Sequence, residues 1–180
     1  MRKLTPDVVV LKASRGADRT VSVSVVDARM VGMPLSDYFL AADDQAAVTV
    51  LQVLGGPSRA DLDVVLLENF DPVAAIPQLE AIMTGCSFEE ASDHSRSGQM
   101  LSDPQGEGAF VVSLRDTLTA ALASASQDDL LRFAEPWSRT DELEQLGMSV
   151  EVTAEILEVL AGLARRAQAS SERLYCWWAP

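Results

Sequence analysis

The chain has 180 residues, 48% of them apolar, and carries a formal net charge of −13 at pH 7. That length and apolar share suffice for one globular domain with a sizeable core, and no run of apolar residues is long enough for a membrane-spanning helix. The charge is uneven: residues 1–33 hold six basic and three acidic side chains, while the remainder holds eight and twenty-four. Such an acidic surface repels both a nucleic-acid backbone and an anionic membrane, which leaves a basic protein as the partner it favours, or mere solubility.

The start Met1-Arg2-Lys3 is basic, but the apolar run Val8–Leu11 is too short for a secretory signal. Cys86 and Cys176 are far apart and form no Cys-x-x-Cys pair, as expected of two reduced thiols in the cytoplasm. Twelve of the fourteen basic residues are Arg and Ala is abundant, a bias that a GC-rich genome of actinobacterial type imposes.

In chain order, Val8–Leu11 and the alternating Val21–Val26 read as an antiparallel strand pair joined by a turn over Ser14–Asp18. Met30–Ala42 has no clear period and is broken by Gly32 and Pro34. Asp43 or Asp44 caps a helix running to Leu54, stopped by Gly55-Gly56-Pro57. Asp63–Leu67 reads as a buried strand. Asp71-Pro72 opens a helix with an apolar stripe through Ala75, Ile76, Leu79, Ile82 and Met83, ended by Gly85, although Pro77 should kink it or delay its start. A short helix around Phe88–Ala91 and a polar loop follow.

Ala109–Val112 suits a short strand or the beginning of a helix. Ser113 with Asp116, and Ser126 with Asp129, have the spacing of capping boxes, the second for a helix that Pro136 should stop. After Ser149 a long helix is predicted, with Val152, Ile156, Val159, Leu160, Leu163 and Ala167 on one face, glutamates early and Arg165 and Arg166 late. Leu174–Trp178 reads as a closing strand, with Trp177 and Trp178 on opposite faces.

The expected fold is α+β: a small mixed or antiparallel sheet of about four or five strands with about five helices. One domain spans 1–180, β-rich to about residue 70 and helix-rich after it.

Chemistry is sparsely signalled. The single histidine, His94, lies in Asp93-His94-Ser95, and adjacency in sequence is not a triad. Asp93 and His94 form a candidate loop site. No zinc spacing, calcium loop or phosphate-binding loop is present, so neither a metal nor a cofactor is expected. A carboxylate-based enzyme or ligand-binding protein using a divalent cation would draw on Asp61, Asp63, Glu89, Glu90 and Asp93. A partner-binding surface would draw on Trp137 and on the row Glu151, Glu155, Glu158. The favoured reading is a non-enzymatic protein that binds a protein partner, with an immunity- or antitoxin-like role as one concrete form. An accessory subunit with an apolar patch at Trp137 is a third.

Asp71-Pro72 before a helix ending Met83-Thr84-Gly85 resembles the small, uncharacterised bacterial YfbM-like family. So do Val112-Ser113-Leu114 leading into a helix, the Leu130–Phe133 segment, and a long helix through Arg165-Arg166-Ala167 before a terminal strand. The resemblance spans residues 63–178 at most, and the N-terminal third departs from it. It implies an α+β fold and assigns no site.

Overall fold

The computed structural model describes residues 11–13, 35–60, 62–68, 71–102 and 108–179, of which 11–13 and Glu68 by backbone only. Six strands form one sheet: β1 (Leu11–Ala13), β2 (Leu35–Ala41), β3 (Val64–Glu68), β4 (Gln99–Met100), β5 (Phe110–Ser113) and β6 (Arg173–Ala179). Their order is β1-β3-β2-β6-β5-β4, and every neighbouring pair is antiparallel. The expected α+β class holds. Most of the proposed N-terminal strand pair lies outside the described residues.

Two hydrophobic layers sandwich the sheet. On one face Tyr38, Leu40, Val65, Leu67, Val112, Leu174 and Cys176 meet helices α2 (Pro72–Thr84), α4 (Asp116–Ser124), α5 (Gln127–Ser138) and α7 (Val150–Ser170). On the other, Phe39, Val64, Val111, Tyr175 and Trp177 pack under α1 (Asp44–Val48) and the 3₁₀ turn Thr49–Gln52. Successive residues of β2 therefore enter different cores, and all of Ser36–Ala41 is buried. A strand covered on both faces shows no polar–apolar alternation, which is why the segment Met30–Ala42 has no readable period.

Local signals set most helix ends. Asp43, Asp71, Ser126 and Ser149 each accept a backbone N–H of the first turn, and Ser126 with Asp129 completes a capping box. Gly85 closes α2 in the left-handed region at φ 74°. Pro77 lies inside α2 and does not delay its start at Pro72. Three other expectations fail. The helix from Asp44 stops at Val48, and Leu54, 98% exposed, is not on a buried face. Pro136 sits inside α5 two residues before its end. Ser113 belongs to β5, so α4 begins from Arg115 without a side-chain cap. The short helix α3 (Phe88–Asp93) lies where the sequence indicated one, and α6 (Asp141–Gln145), which it did not indicate, brings the α-helices among the described residues to seven.

The C-terminal strand divides its tryptophans as expected. Trp177 is buried beneath α1, while Trp178 stacks on Phe110 at 4.8 Å on the helical face. Gly56, at φ 72°, lies flat on the Trp177 ring, where a Cβ would come within 2.9 Å of three ring carbons. At Gly85, also left-handed, a Cβ would meet nothing within 4 Å. Gly56→Ala should therefore cost about 2–4 kcal/mol, combining backbone strain with a steric clash. Gly85→Ala should cost only about 1 kcal/mol, from strain alone. Urea denaturation of the two variants checks the ranking; equal losses would contradict the proposed contact.

Candidate functional site

The polar interior of the molecule centres on the segment from His94 to Gln99, which runs from α3 to the edge strand β4. Two of its residues adopt left-handed backbone, Gly98 at φ 66° and Arg96 at φ 75°. For arginine that conformation is uncommon and costs on the order of 1 kcal/mol. It persists because the segment is pinned from several sides. Arg96 N donates to Gln99 Oε1 at 3.0 Å, and Gly98 N donates to Ser113 O at 3.2 Å. The Ser113 hydroxyl lies within reach of two carbonyls, Arg96 O at 3.2 Å and Gln99 O at 3.3 Å.

Consecutive side chains then grip opposite faces of the sheet. Toward the helical layer, Ser97 donates its hydroxyl to Oε2 of Glu80, which is fully buried in α2. The other oxygen, Oε1, accepts from Thr117 at 2.9 Å and from Arg115 at 3.1 Å. A carboxylate taken out of water is tolerable only when paired and hydrogen-bonded in this way. Toward α1, Arg96 donates from Nη1 to Asp44 Oδ1, and the Tyr175 hydroxyl donates to the same oxygen at 2.8 Å. The guanidinium carbon stands 5.7 Å from the Tyr175 ring centroid. Arg96 Nε and Nη2 are buried without a partner.

These ties set the local charges. Partial burial of Asp44 pushes its carboxyl pKa up, but hydrogen bonds from Arg96 and Tyr175 outweigh it, so the group ionises below its ordinary value of 3.8. Burial and the Asp44 hydrogen bond push the Tyr175 phenol up. Burial likewise raises the Cys176 thiol, which makes it an unreactive core residue.

The segment also forms one wall of a solvent-open cavity of about 510 Å³, bounded as well by residues of α2 and α3. The sequence-derived candidates Asp93 and His94 are both exposed, and both line it. Ser97, at the base, connects it to Glu80. A second cavity of about 480 Å³ lies on the opposite face, lined by Asp44, Val48, Thr49, Gln52 and Leu101 among others.

No protein-family model, curated protein or solved structure matches this chain. The site must therefore be judged on its own geometry.

The other sequence-derived residues scatter. Glu151, Glu155 and Glu158 are exposed on α7 as expected. Trp137 is a correction: it is 1% exposed, deep in the helical core, with Nε1 donating to Ala75 O at 3.3 Å. It offers no surface to a partner, and the idea of an apolar surface patch around it loses its premise. Of the carboxylates considered for an enzyme, Asp63 is engaged by Arg166 in a two-pronged ion pair. Glu90 accepts from the Ser87 backbone at 2.9 Å, and only Asp93 lines a cavity described above. Asp61 lies outside the described residues. Among those described, no group of three or more His, Cys, Asp or Glu is placed to hold a metal ion.

Glu80, Arg96, Ser97 and Arg115 escape sequence reading. One signal was available: Glu80 falls between Ile76, Leu79 and Met83 on the apolar stripe of α2, where a charge must be buried and needs partners.

Three outcomes follow for stability. Glu80→Ala, which strands the partly buried Arg115, should cost about 3–5 kcal/mol. A double-mutant cycle of Ser97→Ala with Glu80→Gln should give a coupling of about 1–2 kcal/mol, measured in urea; additivity would refute the link. Asp44 has its folded pKa depressed, so its contribution is present above about pH 3.8 and fades as pH falls through the lower folded value. The stability difference between the native chain and Asp44→Asn should be constant near neutrality and shrink in acid as pH falls through that lowered value. A difference that persists unchanged in acid would mean that Asp44 acts through packing instead.

Proposed function

We propose that the chain is a non-enzymatic binding module for a basic protein, of the immunity or antitoxin kind. The observation that carries this is the row Glu151, Glu155 and Glu158 on the exposed side of α7. None of the three forms an ion pair with a described residue. The cations of the same helix are engaged inward: Arg165 donates to the carbonyls of Ala123 and Ala125, and Arg166 grips Asp63. The Glu151 carboxyl is held below its ordinary value by its own backbone N–H and the Ser149 hydroxyl. A row of carboxylates with no ion-pair partner among the described residues, on a rigid helix, is suited to steering a positively charged partner. The buried carboxylate of Glu80 meanwhile serves internal ties rather than chemistry.

The reading is tested by replacing the row. Glu151→Gln, Glu155→Gln and Glu158→Gln together should leave the fold intact, because all three side chains are exposed. Tagged native chain should retain a basic protein from a host lysate at low salt, with association slowing roughly tenfold or more at several hundred millimolar salt. The triple variant should lose it. Retention of the same protein by both chains at every salt concentration, or of none by either, would overturn the proposal.

A further inference from the structure

We infer that the cavity between α2, α3 and the His94–Gln99 segment receives the lysine or arginine side chain of a protein partner; this rests on the binding reading above. Three observations point to a cationic head on an alkyl stem.

First, the cavity presents acceptors. Pro77 in the middle of α2 has no N–H, so the carbonyl of Val73, four residues earlier, lacks its ordinary helical donor. That carbonyl stands beside Gly98, where a Cβ would lie 3.2 Å from Val73 O and 3.1 Å from the Pro77 ring. A glycine there leaves the edge of α2 uncrowded. The exposed Asp93 carboxylate shares the cavity, and the Ser97 hydroxyl is fixed at its base by Glu80.

Second, none of the described residues lining the cavity is Lys or Arg. Arg96, the one arginine of the segment, turns to the other face of the sheet and is held there by Asp44.

Third, the walls are apolar where a stem would lie. Val73, 39% exposed, and Pro77 form one side. Long basic side chains bury their methylenes against such surfaces while the head seeks acceptors. The charge of the chain, −13, favours the same ligand over an anion.

The probes are three blocked tripeptides, acetyl-Gly-X-Gly-amide, with X lysine, arginine or norleucine. They are titrated into the intact chain and followed by amide chemical shifts. The basic peptides should move Ser97, Gly98 and Gln99 saturably in the millimolar range, with norleucine at least about fivefold weaker. Asp93→Asn should weaken the basic peptides roughly threefold to fivefold without altering norleucine. Equal affinity for norleucine, insensitivity to Asp93→Asn, or shifts confined to Glu151, Glu155 and Glu158 would each overturn the cavity assignment. The triple α7 variant separates the two ideas. If it loses the captured partner but keeps peptide binding at Gly98, both stand. If a partner is captured while the peptides fail to bind the cavity, only the cavity assignment falls.

Discussion

The buried carboxylate of Glu80 joins parts of the chain that lie far apart in sequence. It draws together the middle of α2, the segment before β4 through Ser97, and the start of α4 through Arg115 and Thr117. A carboxylate this deep would carry a large desolvation penalty alone. Its three partners offset that penalty only when all are in place, so the contact is selective as well as stabilising. An α2 shifted by one residue would point the carboxylate away from them. Arg115 has a second consequence, since it occupies the N-cap position of α4 where no side-chain cap is made. The geometry that Glu80 imposes there stands in for a local capping signal.

From that point the strain at Arg96 has a physical cause. Ser97 must face the helical layer to reach Glu80, and Arg96 must face α1 to reach Asp44 and Tyr175. Adjacent residues of an extended strand could do this, but here the chain is also turning into β4 and is fastened by Ser113. The left-handed conformation of Arg96 reconciles the turn with both contacts. Its cost is offset by an ion pair and a ring contact on one side and a buried hydrogen bond on the next residue. Of the two cavities, the one beside Ser97 is walled by this strained segment, while the one beside Asp44 is lined by α1, the 3₁₀ turn Thr49–Gln52 and Leu101.

How much was legible in the sequence follows from the range of each interaction. The caps at Asp71, Ser126 and Ser149 are decided within three residues, and they read correctly. So did the stripe of α7 and the opposed tryptophans of β6, because period is a local property. The central strand β2 was hidden because burial on both faces erases alternation. Pro136 looked like a stop because the rule describes helix interiors, whereas it lies in the last turn of α5. At the site, Asp93 and His94 stood out only because the chain has one histidine. Glu80 joins residues 17 and 35 positions away, and Arg96 reaches Asp44 across 52. No short pattern encodes such pairings. The one trace they leave is a charge on an apolar stripe.

The distribution of charge explains why a thin catalytic inventory and a strongly acidic surface belong together here. Arg96, Arg115 and Arg166 are engaged with Asp44, Glu80 and Asp63, each tie joining distant segments. An arginine spent in this way cannot neutralise a surface carboxylate. With only fourteen basic residues against twenty-seven acidic, the surplus negative charge must appear outside, on helix faces such as that of α7. The same allocation turns Arg96 away from the cavity beside Asp93. Structural use of the arginines and a negatively charged exterior are thus two consequences of one placement of charge.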